Sequence, residues 1–426
     1  MALSSISTST SYTFDKPLSL SCGLTLRNRI IRAAAFAGGT CKEQAEILSE
    51  AASGGVAAVI VAYTAVSEDG RTFAQQLLLD PSVPPKDLAD IPRLIHASDC
   101  LVLFQLTHAG GFANPQLASN HLPPLAPCAI FEPSLLGYTR ACTETDITRL
   151  VNDFANAAKL VCSDEINADG CEIHFGHGYL LSQWLSPITN RRTDEHGGSI
   201  LNRLKFPMRV VKAVRTAIGS KKAIFVKLNV NDGVSNGISK SDVEVIIQTL
   251  CREANLIDGI IPSAGFVSKN GFFMLRGRVP REGMIRSISK ISWTKGTALS
   301  LLGRWLVPEL PFFEGFLQET AKEVLAAASK LDSKVPIFAI GGYISLEGVE
   351  KALSEGFSGI QMARALIREP NLVQRWKRFV TSSTNMEMTR MSIKKEDGVK
   401  SPCSHCNECV LGSLSPDLPA RCVERQ

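Results

Sequence analysis

The stretch that decides the fold is Gly170–Arg203, which reads GCEIHFGHGYLLSQWLSPITNRRTDEHGGSILNR. It begins with a short apolar run, Gly170–His174, which has the length of a strand buried on both faces. It then leads into a helical pattern over Ser199–Ile218. A buried strand followed by a helix predicts one unit of a parallel α/β fold.

The same unit recurs eight times along the chain. Seven of the predicted helices lie between successive strands and the eighth follows the last, which predicts a single (β/α)8 TIM barrel. A doubly wound sheet is the alternative, but no G-x-G-x-x-G follows any strand. The predicted strands are Arg29–Ala35, Val56–Ala62, Leu101–Leu106, Gly170–His174, Ala223–Leu228, Ile257–Pro262, Pro336–Ile340 and Gly359–Ala363. The predicted helices are Lys42–Ser53, Asp87–Ala97, Thr145–Glu165, Ser199–Ile218, Ser239–Ala254, Phe313–Lys330, Leu346–Glu355 and Leu372–Val380.

Three segments do not follow this alternation of strands and helices, and they define the bounds of the predicted domains. Long loops follow strand three (Pro115–Thr143) and strand six (the insertion Gly265–Pro311), where barrel enzymes usually build the rim of the active site. We predict a disordered tail over residues 1–12, the barrel over 13–384 and a cysteine-containing C-terminal tail over 385–426.

Composition excludes several classes of protein. The 426 residues are 45% hydrophobic and 20% charged, which excludes wholesale disorder. A net charge of +5 gives no reason to expect nucleic acid or a membrane as a partner, and the N-terminus lacks the basic start and apolar middle of a signal peptide. Most of the 12 cysteines are scattered singly among apolar residues, as expected of reduced thiols in the cytoplasm.

The end of strand four carries the first candidate site. His174 ends the strand, and His177 and Tyr179 follow it, so two imidazoles and a phenol gather where barrel enzymes place their chemistry. A metal site is the weaker interpretation, because no Asp, Glu or Cys stands at a convincing spacing. We predict that the imidazoles stabilise a substrate oxygen and that the phenol donates a proton.

Other strand ends add groups that suit a planar, phosphorylated ligand. The Gln105 amide at the end of strand three can pair with a heteroaromatic edge, and Lys227 in strand five needs an anionic partner or ligand if it is buried. Gly341-Gly342 after strand seven and Ala363-Arg364 after strand eight occupy the usual phosphate-binding loops of such barrels, although the glycines could simply turn the chain.

Together these residues resemble the Old Yellow Enzyme family of FMN-dependent NADH:flavin oxidoreductases and ene-reductases. The resemblance runs from about Phe14 to about Arg378. It rests on His174–Tyr179 with Ser186-Pro187, Asn190, Arg192–Glu195, Gly197–Ser199 and Asn202-Arg203, and on Leu26–Ile31, Gln105–Gly110, Gly341-Gly342 and Ala363–Leu366.

The resemblance implies a reaction. NADH or NADPH would reduce FMN, which would deliver hydride to the β-carbon of an electron-poor alkene. His174 and His177 would hold the carbonyl or nitro oxygen, and Tyr179 would protonate the α-carbon. Gln105 would contact the flavin edge and Lys227 its electron-rich end, while Gly341, Gly342, Ala363 and Arg364 would bind the phosphate, with Ala34 and Ala35 under the ring.

Besides Trp184, which stands where many members have Phe, three positions depart from the family pattern. Phe36 stands where many members have Thr or Cys, and Gly111 where many have Arg. Ala62-Tyr63 replaces a usual acidic–small pair beside the flavin, where we expect Tyr63 to narrow the pocket.

The C-terminal cysteines have metal-like spacing. Cys403, Cys406, Cys409 and Cys422 are similar to the iron–sulfur motif of multidomain relatives, with His405 between them. An iron–sulfur cluster, a structural zinc and no metal at all remain open.

We therefore predict an FMN-dependent NAD(P)H oxidoreductase that reduces activated alkenes. Oxidation, isomerisation or cyclisation of a specialised metabolite on the same barrel is the alternative, and a non-catalytic flavin-binding protein is a remote one.

Overall fold

The structure is a computed structural model that describes residues 12–80, 82–133, 135–291, 293–385, 399–413 and 421–425. The predicted N-terminal tail falls, except for Tyr12, outside the described residues.

Eight parallel strands form one sheet that closes into a barrel, as predicted. In the ring each strand neighbours the next along the chain, the first strand pairs with the eighth, and an isolated bridge between Ile260 and Ile337 joins the sixth strand to the segment leading into the seventh. The strands are β1 (Ile30–Arg32), β2 (Ala58–Ala65), β3 (Leu101–Thr107), β4 (Gly170–Phe175), β5 (Ala223–Asn231), β6 (Gly259–Ala264), β7 (Phe338–Ala339) and β8 (Gly359–Met362). Short two-stranded pieces pair Leu18–Ser19 with Thr25–Leu26, Leu125–Ala126 with Arg140–Ala141, and Phe131–Glu132 with Gly137–Tyr138.

Helices cover the outside of the barrel and the loops of its rim. Three of them begin with a capping box, in which a Thr or Ser hydroxyl and an acidic side chain three residues later satisfy the first backbone N–H groups. The helices are α1 (Cys41–Ser53), α2 (Pro85–His96), α3 (Glu144–Val161), α4 (Leu180–Leu185), α5 (Ile200–Arg203), α6 (Lys205–Ile218), α7 (Lys240–Arg252), α8 (Val267–Asn270), α9 (Arg281–Ile291), α10 (Trp293–Leu306), α11 (Gln318–Ser329), α12 (Leu346–Ser354), α13 (Arg364–Arg368) and α14 (Leu372–Asn385). Short 3-10 helices lie at Thr13–Asp15, Glu68–Gly70, Gly110–Phe112, Pro115–Leu117 and Glu408–Ser413.

Several predicted boundaries were wrong. The first strand stops at Arg32, with one more backbone bond from the Ala33 N–H to the Met362 carbonyl of β8, so Ala34 and Ala35 lie beyond the strand. The helix predicted over Ser199–Ile218 is split in two, because Pro207 lacks the N–H that would continue the ladder across the break.

Two apolar layers stabilise the barrel. The interior contains Ile31, Ile60, Phe225 and Phe338, whereas a larger layer packs the outward faces of the strands against the helices. Every residue of β1, β4, β6 and β8 is buried, as expected of parallel strands covered on both faces. Polar side chains at the strand ends are therefore held on a rigid frame.

The insertion after β6 is partly helical, although no helix was predicted there from the sequence. It contains α8, α9 and α10, and the 3-10 helix Glu408–Ser413 of the C-terminal tail packs on α9. The tail therefore lies on the insertion, which rises from the C-terminal end of the barrel.

Candidate active site

The two predicted histidines meet at the end of β4. His174 Nε2 lies 3.1 Å from His177 Nδ1, and the ring centroids are 4.9 Å apart. The remaining ring nitrogens have hydroxyl partners, Thr107 Oγ1 at 3.3 Å from His174 Nδ1 and Ser263 Oγ at 2.7 Å from His177 Nε2. Strands β3, β4 and β6 thus fix the orientation of both imidazoles.

The backbone at His177 is left-handed, with φ of +60°. Its N–H donates to the side-chain oxygen of Asn229 at 3.0 Å, and Asn229 donates to Asp232 at 2.9 Å and to the Gly265 carbonyl at 2.8 Å. A non-glycine residue adopts this conformation only when its surroundings hold it there. This turn directs the His177 ring back onto His174.

Tyr179 completes the predicted trio. It is 6% exposed, and its ring centroid lies 4.9 Å from that of His174 and 5.2 Å from that of Tyr63. The Tyr63 hydroxyl lies 2.9 Å from that of Thr72, which is within 3.0 Å of Gln76 Oε1. A chain of hydroxyl groups therefore leads from the candidate proton donor towards the half-buried Thr72.

Burial sets the protonation of these groups. It lowers the pKa of His177 to about 3, with a further contribution from the Lys227 charge, and it lowers the pKa of His174 well below 6.5. Burial and the neighbouring Tyr63 raise the pKa of Tyr179 well above 10. At neutral pH the site therefore holds two neutral imidazoles and a protonated phenol.

Lys227 has the anionic partner that the sequence analysis predicted for a buried lysine at this position. The partner is Glu172 of β4, whose Oε1 lies 3.5 Å from the ammonium nitrogen, and both side chains are buried. The same carboxylate accepts from Gln105 Nε2 at 2.6 Å and from Gln361 Nε2 at 2.8 Å. The Gln105 amide nitrogen is thus occupied within the protein.

The sequence analysis missed Glu172, although a signal was present. Residues two apart in a strand share a face, so Glu172 points to the same side of β4 as His174. An acidic side chain in an otherwise apolar buried strand requires a partner. Lys227 stands directly opposite His174 in the register of β4 and β5, within reach of Glu172.

Aromatic rings surround the phenol. Phe36 packs edge-on against Phe73 with centroids 4.6 Å apart and lies 6.5 Å from Tyr63, while Phe112 lies 6.3 Å from Tyr179. Phe36 and Tyr63 were two of the three departures from the family pattern, and here they share one apolar cluster. This aromatic cluster forms one side of the site.

Gly341 and Gly342 lie under the insertion. Their φ values of +133° and +80° suit glycine, and a Cβ added to Gly342 would lie 2.5 Å from the Phe312 ring. Ala363, which precedes α13, and both glycines are at least partly buried. The glycine turn that the sequence analysis assigned to phosphate binding therefore also packs closely against an aromatic side chain.

Arg364 is held by the insertion and the tail. Its guanidinium donates to the carbonyls of Leu275 and Arg276 and, at 2.6 Å, to Asn407 Oδ1. Asn407 Nδ2 in turn donates to the carbonyls of Arg276 and Arg278, each at 2.9 Å. Nothing in the sequence analysis pointed to Asn407, because its contacts join segments more than 40 residues apart.

Comparison with known proteins fits this geometry. A family model described as NADH:flavin oxidoreductase / NADH oxidase matches residues 14–261. The chain belongs to this family. A relative from Rhodococcus erythropolis, named 4,4'-dithiodibutanoate disulfide reductase, is 34% identical over 91% of this chain and 90% of its own. NADH:acrylate oxidoreductase of Vibrio harveyi is 26% identical over 82% of this chain and 31% of its own.

The fold is likewise shared with a solved member. The old yellow enzyme homologue from Zymomonas mobilis has a TM-score of 0.64 at 20% identity, covering 93% of this chain and 99% of that one. The chain spans about half the length of the second and third curated relatives it matches. The predicted family, oxidoreductase class and FMN cofactor with NADH or NADPH as reductant are confirmed.

The residues at the barrel mouth suit the family's FMN. Lys227 and Arg364 supply two cations, and Gly341 and Gly342 supply a turn with positive φ after β7. Ala34 and Ala35, which follow β1, add two small, half-buried side chains. This donor set fits an anionic, planar group.

The cysteines of the tail do not form a metal centre among the described residues. Cys403, Cys406, Cys409 and Cys422 are free thiols, and no group of three or more His, Cys, Asp or Glu in the described ranges is arranged to hold a metal ion. Instead, His405 stacks on Phe312 with centroids 3.4 Å apart. In this part of the chain, the tail acts as a packing element on the insertion.

Proposed function

We propose that the protein reduces the C=C bond of an α,β-unsaturated carbonyl or similar activated alkene at the expense of NADH or NADPH. The observation that carries this proposal is the convergence of His174, His177 and Tyr179 at the end of β4. Two neutral N–H donors and one neutral O–H donor on one side of a barrel mouth match the needs of an oxygen that gains negative charge and a carbon that gains a proton.

The imidazoles would bind the substrate oxygen. Both are neutral, and in the structure one ring donates its N–H to the acceptor nitrogen of the other. A carbonyl oxygen would replace that bond, and the accepting ring would change tautomer so that its N–H also faces the oxygen. The Thr107 and Ser263 hydroxyls allow this change, because each can either donate to or accept from its ring nitrogen. The N–H groups would then stabilise the developing enolate-like charge.

Tyr179 would supply the proton. Its raised pKa keeps the phenol protonated at neutral pH, and the phenolate left after proton transfer would receive a hydrogen bond from Tyr63. Proton transfer from the Tyr179 hydroxyl to the α-carbon forms the C–H bond and breaks the O–H bond. The hydroxyl chain through Tyr63 and Thr72 offers a path for reprotonation.

FMN, when bound, supplies the hydride for the β-carbon after its reduction by the nicotinamide cofactor. We propose that Gln105, Lys227, Ala34, Ala35, Phe36 and Tyr63 surround its ring and that Gly341, Gly342, Ala363 and Arg364 bind its phosphate. Lys227 would stabilise negative charge on the ring even with Glu172 nearby, because Glu172 is shared with two amides.

The surroundings favour a small, apolar substrate. Phe36, Tyr63, Phe73 and Phe112 offer ring faces next to the donor trio, with no charged side chain among them.

None of the helices in the described ranges is long and apolar enough to cross a lipid bilayer. No disulfide joins any of the 12 cysteines, all of which are described, and this supports a reducing compartment such as the cytoplasm.

The test separates the two half-reactions. The FMN-loaded protein should bleach anaerobically with NADH or NADPH and regain its colour with an enone. Tyr179→Phe should bleach at an unchanged rate but regain colour with the enone about 10²-fold or more slowly. Bleaching without recovery on a panel of enones and nitroalkenes would contradict the proposal. Recovery at the full rate in Tyr179→Phe would instead favour a reaction without this proton transfer.

Reduction of an organic disulfide is the second candidate function. The observation in its favour is the relative named for that activity, which matches nine-tenths of this chain. Cleavage of the S–S bond takes two electrons and two protons and yields two thiols, and NADH supplies the electrons through FMN. Tyr179 would then protonate a thiolate, which is already stable in water, so Tyr179→Phe should slow disulfide reduction much less than alkene reduction.

A further inference from the structure

A second polar cavity lies outside the barrel wall. It has a volume of about 220 Å³ and lies between β1, α1, α13 with Pro370 after it, and residues 421–425 of the tail. Its lining consists of Arg32, Ile47, Glu50, Leu366, Ile367, Pro370, Arg421, Cys422 and Arg425. None of the residues assigned above to the flavin or the substrate lines it, so it is a separate site.

Arg32 forms the floor of this cavity. The residue is 2% exposed, and its Nη1 is buried with no hydrogen-bond partner among the described residues. Its neighbour Ile31 points into the barrel and Ile30 packs in the outer layer, so Arg32 shares the outward face of β1 with Ile30. A buried guanidinium without an anion is costly, and a fully satisfied site would contain one.

The charges around the cavity do not balance. Among the described residues that line the cavity, the guanidinium groups of Arg32, Arg421 and Arg425 face one carboxylate, that of Glu50. Outside the lining, the Glu43 carboxylate lies near Arg421. The described lining therefore carries an excess of positive charge. Glu50 is paired with Arg425 at 2.5 Å. Arg421 and Arg425 are exposed and Arg32 is buried, so the cavity has a cationic rim and a cationic floor.

We propose that this cavity binds a phosphate-class oxyanion, either inorganic phosphate or the phosphate of a monoester. Guanidinium groups match the oxygens of such an anion in paired, charge-assisted hydrogen bonds, and two of them approach from different segments. A volume of about 220 Å³ is several times the roughly 30 Å³ that one water occupies in the liquid, so there is room for a tetrahedral anion.

The apolar part of the lining supports a bound ion more than bulk solvent. Ile47, Leu366 and Ile367 flank the floor, and they lower the effective dielectric constant around Arg32. Burial lowers the pKa of Arg32 to about 10, which still leaves it charged at neutral pH. A bound oxyanion would join Arg32 of β1 to the tail segment Arg421–Arg425 and so attach the end of the tail to the barrel.

The experiment uses FMN-saturated protein, so that the flavin phosphate site is already filled. Inorganic phosphate and glycerol phosphate are titrated calorimetrically at constant ionic strength in chloride buffer. Saturable binding is expected for at least one of them, and the stronger of the two identifies the source of the anion. Arg32→Gln and Arg421→Gln should each weaken it about tenfold or more, whereas Arg93→Gln, an exposed arginine paired with Asp90, should leave it unchanged.

Arg421→Gln keeps the test valid if the buried Arg32 variant fails to fold, because Arg421 is exposed. Absence of saturable binding in the wild-type protein overturns the proposal, and so does equal binding by all three variants. Cys422→Ser tests whether the Cys422 side chain fills the place of the anion. If this variant acquires phosphate binding that the wild type lacks, the native cavity has no anion site and the proposal is overturned.

Discussion

The ammonium group of Lys227 lies 3.5 Å from the carboxylate of Glu172 in the interior of the barrel, where both side chains are almost completely buried. The two residues belong to neighbouring strands, and the carboxylate also accepts hydrogen bonds from two glutamine amides. This small network lies directly below the histidine pair, because Glu172 and His174 share a face of β4. It connects the cation proposed for the flavin to the strand that carries the proposed donors.

Removing the acid should therefore destabilise the fold. Glu172→Gln leaves the Lys227 charge buried without a carboxylate, and we expect a loss of about 3–5 kcal/mol in the free energy of unfolding, measured by urea denaturation of the FMN-free protein. The double variant Glu172→Gln, Lys227→Met should recover most of the loss. A single variant as stable as the wild type would mean that Lys227 does not depend on this pair.

Tyr63 should matter for alkene reduction without taking part in flavin reduction. Tyr63→Phe keeps the ring packing against Phe73 but removes the hydroxyl next to Tyr179, so we expect re-oxidation by an enone to slow about three- to tenfold. Stopped-flow measurement of both half-reactions tests this. Tyr138→Phe, at an exposed rim position, serves as the matched control. An equal slowing of the NADH half-reaction would contradict a role specific to proton transfer.

Stability should fall on acidification partly because of His177. Its pKa in the fold is about 3, whereas an unfolded histidine takes up a proton near pH 6.5, so between these values the unfolded state binds the extra proton and gains stability. The unfolding free energy should decrease as the pH falls from about 6.5 towards 3, and less steeply in His177→Asn, since Asn tolerates the left-handed backbone. His121→Asn is the control, because His121 is exposed and also has positive φ. Identical slopes for both variants would refute this contribution.

Asn407 should affect the flavin through the phosphate alone. Asn407→Gly tolerates the residue's φ of +62° and removes the amide that holds Arg364, so the dissociation constant of FMN should rise about tenfold. Riboflavin lacks the phosphate and should bind the variant and the wild type equally well. Fluorescence titration of the apoprotein with both flavins measures this difference. Equal losses for the two flavins would show that Asn407 supports the insertion but not the phosphate contact.

The sequence was sufficient for features that depend on local pattern. Alternation of apolar runs and amphipathic helices predicted the closed barrel, and the spacing of His174, His177 and Tyr179 after a buried strand predicted their meeting. These predictions succeed because a parallel strand ends at the barrel mouth whatever the rest of the chain does.

Features that depend on contacts between distant segments could not be predicted. The pairing of Asn407 with Arg364 joins the tail to α13, and the stacking of His405 on Phe312 joins it to the segment that follows the insertion. None of these segments has a periodicity that reveals its partner. The hydroxyls of Thr107 and Ser263 that orient the imidazoles were not predicted, although Thr107 lies in the Gln105–Gly110 motif, because their partners belong to a different strand. Glu172 is an intermediate case. An acidic residue in an apolar strand can be recognised in the sequence, but its partners on other strands cannot.

The closure of the barrel has a consequence for its motion. Between β6 and β7 the wall depends on one bridged pair, Ile260 and Ile337, and β7 itself is only Phe338–Ala339. Amide protons along this seam should exchange with solvent sooner than those of the long neighbouring strands, because fewer backbone bonds must break to open it. The insertion departs from the end of β6 beside this seam, so local opening there leaves the register of β3, β4 and β5 unchanged.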